Sequence, residues 1–288
     1  MSFGLQILVR SLSTPNSGAG KGYAYGNKWQ YHPRSDRHSK ILCWGIAFDL
    51  LLRDNLIRRH IRDEKTSFGI NHTMVDFTNK RRKDLDLVIC QRGTPVSGKA
   101  VASFADMVDA YEIELSQEEE KLLRQLPAIP HTGVRSALLA LEAKAAMTEF
   151  GKARPRLYDE LNSSHQAIHG DTEAAIAGGF ALINTASSFV SPLRNHWKIG
   201  ERKTDVTKLK QPDEALKTVQ KVEQLPRRAS IGGHGFDSFG IGMIECFNDG
   251  RPIRLVSDAL SPPAGSPFHY DAFIERIETI YATRFAGI

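Results

Sequence analysis

Two short aliphatic runs in this sequence each end in charge, and they hold the side chains best spaced for chemistry. In Lys83-Asp84-Leu85-Asp86-Leu87-Val88-Ile89, acidic residues open a run of three aliphatics; in Leu138-Leu139-Ala140-Leu141-Glu142-Ala143-Lys144, four apolar residues deliver Glu142 and Lys144. Both runs have strand character, and strand side chains alternate between faces. Glu142 and Lys144 therefore share a face, Asp84 and Asp86 share one likewise, and Ala143 points into the opposite layer. If the strands are neighbours, carboxylates and an ammonium converge at one sheet edge. Such a group suits phosphodiester hydrolysis, which needs charge neutralisation on phosphoryl oxygens, an activated water and help for the leaving oxygen. Asp86 and Glu142 are hard oxygen ligands of the kind Mg²⁺ takes one or two at a time. Lys144 would hold the water and the scissile phosphate.

The frame around these runs reads as α/β. Apolar spacing over 41–61, with a polar break at 53–55, predicts one or two helices ahead of the first run. Runs 73–78 and 85–90 around a basic turn predict a hairpin. Segment 91–136 reads as an insertion with an acidic helix from Ser116, where Glu119 completes a capping box. A buried strand over 138–143, a helix over about 156–168 and a strand over 180–183 follow. The polar stretch 194–228 reads as a surface excursion. A second hairpin through Asn248-Asp249-Gly250 and a closing amphipathic helix over 270–285 end the chain. The expected organisation is an N-terminal arm or loop over 1–40 and one domain over 41–288. That domain has its core at about 41–90 and 137–185, the insertion over 91–136, and the C-terminal hairpin and helix over 230–288.

These residues resemble the PD-(D/E)xK phosphodiesterases, the restriction-endonuclease-like superfamily. In that family an Asp on one strand and a (Asp/Glu)-x-Lys on the next form a metal site, on a core whose helix precedes three strands and is followed by a helix and a strand. The resemblance covers roughly residues 40 to 185 and maps the motif onto Asp86, Glu142 and Lys144. It implies the Ala143 carbonyl as a further metal ligand and Asp49, on the first core helix, as an additional acid. Leu85 stands where the family's name puts Pro, and the 55 residues between Asp86 and Glu142 require the insertion. The implied fold is a central mixed sheet flanked by helices. The implied function is a Mg²⁺-dependent deoxyribonuclease, with Mn²⁺ able to substitute: a type II restriction endonuclease cutting double-stranded DNA as a homodimer or higher homo-oligomer. A defence effector nuclease switched on by a signal or partner, and an inactive DNA-binding protein on the same fold, are the alternatives.

Three other (Asp/Glu)-x-Lys triplets, Asp63-Glu64-Lys65, Glu119-Glu120-Lys121 and Glu201-Arg202-Lys203, follow no apolar strand. The Gly-rich segment 17–22 departs from a phosphate loop at Pro15 and Gly22 and is rejected as a nucleotide site. His165 and His169 have zinc spacing, but Gln166 replaces the Glu a zinc protease needs, so a surface pair is expected. Gly232-Gly233-His234-Gly235 reads as a turn.

The chain has 288 residues, 41% hydrophobic and 25% charged, which is globular composition with no run suited to a membrane span or a secretory signal. A cytoplasmic location is expected. Cys43, Cys90 and Cys246 are too dispersed for a disulfide framework and read as buried thiols. Thirty-eight Lys and Arg against 33 Asp and Glu give +5, which permits a polyanionic partner. Two clusters are dense enough to track a phosphate backbone: Lys80, Arg81, Arg82, Lys83 and Lys152, Arg154, Arg156. Because the first enters the strand that carries Asp86, it is expected close to the cut.

Overall fold

The apolar start of the chain folds as a docked helix, which corrects the arm expected over 1–40. The computed structural model describes residues 2–16, 18, 21–77, 79–96 and 101–288. In it α1 (Gly4–Ser13) buries Ile7, Leu8 and Leu12. Its partner is α2 (Arg37–Arg53), and the two cross where glycine meets glycine: a Cβ on Gly45 would stand 2.8 Å from the Gly4 Cα. A ten-residue helix is marginal alone, so this one exists through its docking, which local sequence pattern does not display. Between them, Lys21–Gly26 forms a 3₁₀ turn, and Trp29 and Tyr31 are buried. The segment had more to bury than its composition suggested.

The break expected near 53–55 is real. Asp54 ends α2 and caps α3 (Asn55–Arg62), its Oδ1 accepting from the N–H groups of Leu56 and Ile57. The first hairpin pairs β1 (Thr66–Asp76) with β2 (Arg81–Gln91) and is longer than predicted. The insertion holds α4 (Asp106–Ala110) and α5 (Gln117–Gln125), the latter with both halves of the Ser116/Glu119 capping box formed. It packs back onto the domain, for Trp44 Nε1 donates to the Phe104 carbonyl and the two rings stack 5.0 Å apart.

Next come β3 (Ala137–Ala146), α6 (Phe150–Asp171) and β4 (Ile176–Asn184). The excursion carries β5 (Ser188–Val190), β6 (Val206–Lys208) and α7 (Asp213–Val222). The chain closes with β7 (Ser238–Glu245), β8 (Arg254–Val256) and α8 (Tyr270–Arg284).

The architecture is mixed α/β around a six-stranded sheet of order β1-β2-β3-β4-β7-β8. β1 pairs antiparallel with β2 and β2 with β3, β3 pairs parallel with β4 and β4 with β7, and β8 is antiparallel to β7 on the edge. One hydrophobic cluster joins α1, α2 and α8 to one face of the sheet through Trp44, Leu141 and Phe273. The other joins α6 and α7 to the opposite face through Leu161, Val222 and Phe239. All three cysteines are buried thiols, as expected. Among the described residues no helix is long and apolar enough to cross a membrane.

Candidate active site

β2 and β3 pair from Cys90 only as far as Leu87↔Leu141, and the charged residues stand where that pairing stops. The side-chain alternation of β2 slips at the same place: Leu85 belongs to the α6-side cluster, whereas Leu87, two residues on, belongs to the α2-side cluster. Asp84 and Asp86 lie before that slip, yet their surroundings differ. Asp84 is exposed and accepts from the Thr73 hydroxyl on β1. Asp86 is 6% exposed and turned toward α2 and β3.

Asp86 is held from two sides. Its Oδ1 lies 2.7 Å from Lys40 Nζ and 2.8 Å from Ser39 Oγ, and its Oδ2 accepts from the Ala143 N–H at 3.1 Å. Burial works to raise its pKa, but Lys40 and Lys144 prevail and hold it below the usual carboxylate value. Lys40 itself is 1% exposed. Burial alone would depress its pKa, and Asp86 raises it instead, so the pair is ionised within the protein. Sequence reasoning missed Lys40 because it began the helix at Ile41. The one legible signal was the polar triplet His38-Ser39-Lys40 at the head of an apolar helix.

On β3, Lys144 Nζ lies 2.5 Å from Glu142 Oε1, and Lys83 Nζ from β2 lies 3.9 Å from the same oxygen. Glu142 Oε2 is buried with no hydrogen-bond partner. Burial and the neighbouring Asp86 charge push the Glu142 pKa up to about 7, against the pull of Lys144 and Lys83. Lys144 goes the other way: burial would lower its pKa, but Glu142 and Asp86 raise it.

Asp49 is elsewhere. Nine residues beyond Lys40 on α2, about 13 Å along the axis, its carboxylate accepts from the N–H groups of Phe3 and Gly4, each at 2.8 Å, and from the Tyr270 hydroxyl at 2.7 Å. It caps α1 and takes no part in the Asp86–Glu142 group. The partner that a buried acid on an apolar helix requires is a helix terminus.

A cleft of about 660 Å³ opens onto Asp86, Ala143 and Lys144. Its walls carry Arg34, Lys152 and Arg156 together with Asp36, Glu149 and Glu160, and Arg156 pairs with Glu160 at 2.6 Å while Lys152 lies 3.8 Å from Glu149; His38, Tyr31 and Leu193 complete them. The two predicted basic clusters divide. Lys152 and Arg156 face the cleft, but Arg154 pairs with Glu214 on α7 and lines a separate hollow with Lys217 and Lys221. Lys83 reaches Glu142, whereas β2 runs on from Asp86 so that Arg81 lies about 17 Å away along the strand. Arg81 donates to Gln166 on α6, and among the described residues no carboxylate pairs with Lys80, Arg81 or Arg82. The turn is therefore the end of a two-stranded ribbon that packs against the C-terminal part of α6, where the Val75 N–H donates to Asp171, rather than a wall of the site.

The histidines expected on the surface are interior. His165 is 1% exposed, with its ring 4.7 Å from His234 and 5.2 Å from Phe236. His169 Nε2 lies 3.4 Å from Asp237 Oδ2. The residues that cover them arrive from a turn some 65 positions away in the sequence. Of the rejected phosphate-loop segment, residues 17, 19 and 20 lie outside the described residues.

The donor set fits a hard divalent cation. Glu142 Oε2 lacks any partner and Asp86 Oδ2 accepts a single hydrogen bond, so both retain lone pairs. A strand residue directs its N–H and C=O to the same side, so the Ala143 carbonyl also faces the β2 side, beyond the last ladder pair. All three donors are oxygens, the set Mg²⁺ and Mn²⁺ accept and zinc disfavours. Comparison with known proteins returned no match, whether to a family model, to a characterised protein or to a solved structure.

Proposed function

We propose that this chain is a Mg²⁺-dependent deoxyribonuclease on a restriction-endonuclease-like core, of the type II restriction class, cutting double-stranded DNA in the cytoplasm as a homodimer. The observation that carries the reading is the meeting of Asp86, Glu142 and Lys144 at the end of the β2–β3 ladder, against a cleft whose walls bear Lys152 and Arg156. The order of elements supports it. The helix α2 precedes β1, β2 and β3, after which α6 crosses over to β4 parallel to β3, the succession that the PD-(D/E)xK resemblance implies.

Each side chain then has a task. Asp86, Glu142 and the Ala143 carbonyl would hold the cation, which when bound supplies Lewis acidity and lowers the pKa of a coordinated water. Lys40 and Ser39 keep the Asp86 carboxylate ionised and oriented. Lys144 carries its proton at neutral pH and places positive charge beside the phosphate, where negative charge grows in the transition state. Lys152 and Arg156 hold the backbone along the cleft.

Incubation with supercoiled plasmid tests the reading. Nicked or linear products should form with Mg²⁺ or Mn²⁺ and vanish with EDTA, while Ca²⁺ should support binding with little cutting. Absence of products with either metal, cutting that survives exhaustive EDTA, or activity restored by zinc alone would overturn it.

A further inference from the structure

The cleft holds a histidine that the cation-binding residues and the phosphate-binding cations leave unused. His38 lies in the first turn of α2, immediately before Ser39 and Lys40, the two residues that grip Asp86. It is half-buried and lines the same cleft as Asp86 and Lys144. Its ring packs against Tyr31, centroids 4.9 Å apart. A neutral imidazole has one N–H and one lone pair. Among the described residues no side-chain hydrogen bond occupies the ring, so a lone pair is available to whatever enters the cleft. Burial, helped by Lys144 and Lys40 and opposed by Asp86 and the Ser35 carbonyl, brings the His38 pKa down to about 4, so the ring is neutral at pH 7. An anionic phosphate arriving beside it would make it more basic at the moment of reaction.

We propose that His38 is a catalytic residue, the acceptor of the proton lost by the water that attacks the scissile phosphate. The proposal rests on the nuclease reading of the site. As the water oxygen bonds to phosphorus, one of its protons passes to the His38 lone pair. The bond from phosphorus to the leaving oxygen breaks, that oxygen keeps the electron pair and takes a proton from solvent, and the imidazolium returns its proton to solvent. One water is consumed, and a phosphate monoester and a hydroxyl are formed. Lys144 is unsuited to this step because Glu142 and Asp86 raise its pKa and keep it protonated.

Two variants and a rescue test the role. His38→Gln keeps a polar side chain of similar reach but has no basic nitrogen; His38→Ala leaves room for a small base. Both should lose about 100-fold in kcat on plasmid with Mg²⁺, with duplex affinity in Ca²⁺ unchanged and the thermal midpoint close to that of the parent. Added imidazole should restore cutting by His38→Ala in proportion to its free-base concentration, an effect a merely structural histidine would not give. Cutting by His38→Gln at the parent rate, or a His38→Ala defect indifferent to imidazole, would overturn the role of His38 while the parent still cuts. A parent that cuts nothing would instead overturn the nuclease reading and this proposal with it.

Discussion

Asp237 and Glu142 are both buried carboxylates of the same sheet region, 2% and 1% exposed, yet their surroundings are opposite in kind. Asp237 is saturated. Arg228 donates to both its oxygens at 3.0 Å, Arg284 to Oδ1 at 2.9 Å and the Ala177 N–H to Oδ2 at 2.8 Å, while His169 lies beside it. Burial works to raise its pKa, but His169, Arg228 and the other donors hold it well below the usual carboxylate range. Glu142 has one ion-paired oxygen and one with no partner, and its pKa is raised to about 7. A carboxylate whose lone pairs are all taken fastens structure. One left incomplete in the interior is a cost to the fold that a bound cation can offset. Asp49, with three donors around it, belongs with Asp237.

The contrast breaks most visibly on substitution. Glu142→Ala or Lys144→Ala should abolish metal-dependent cutting, a loss on the order of 10³-fold, while leaving DNA binding in Ca²⁺ and the thermal midpoint nearly as in the parent. Asp237→Asn should do the reverse, lowering stability by about 3–5 kcal/mol because Arg228 and Arg284 lose their buried counter-charge. Equal effects of the two substitutions on stability in denaturant melts would erase the distinction.

A smaller effect concerns pH. Since the Glu142 pKa is higher in the folded chain than its ordinary value, the folded state binds the extra proton between about pH 4.5 and about 7. Its contribution is therefore most favourable at the acid end of that window and is lost as pH rises through it. Glu142→Gln should flatten that slope and above pH 7 gain on the order of 1–3 kcal/mol in stability without metal. Asp237 works oppositely, its stabilisation being present above the ordinary Asp pKa and lost only as pH falls through its depressed value. Unfolding curves of parent and Glu142→Gln at pH 5 and pH 8 decide the matter, and parallel pH dependence would count against it.

The smallest effect extends the contrast to cations. Arg154 is paired with Glu214, whereas Arg81 and Arg82 have no carboxylate partner among the described residues. Neutralising Arg81 and Arg82 together should weaken binding to all duplexes alike and reduce the log–log salt slope by about 0.9 for each phosphate that the ribbon no longer neutralises. Neutralising Arg154 should leave the slope unchanged. An unaltered slope for the double variant would make the ribbon end a solvated surface.

What the sequence revealed follows the range of the interactions concerned. Glu142 and Lys144 could be placed together because two-residue alternation is local, and Ser116 with Glu119 because a capping box spans three positions. Asp54 was legible as a break for the same reason. Lys40 could not be assigned to Asp86, nor Asp49 to Phe3 and Gly4, because each pairing joins residues about 46 positions apart and depends on how α2 lies between α1 and the sheet. Alternation alone could not separate the exposed Asp84 from the buried Asp86, because that difference depends on how α2 covers the strand. His165 misled likewise, since nothing near it in sequence indicates that Phe236 will cover it.

One helix spans both of the regions compared above. α6 begins beside the cleft, where it presents Lys152 and Arg156, and 22 residues later ends beside Asp237 with His169. About 20–26 Å of continuous helix thus ties the long-stemmed cations of the cleft to a carboxylate locked by two arginines. The backbone of that wall is thus ordered by the fold, so under the proposed function the entropy of ordering it is lost during folding and need not be lost again when a polyanion arrives.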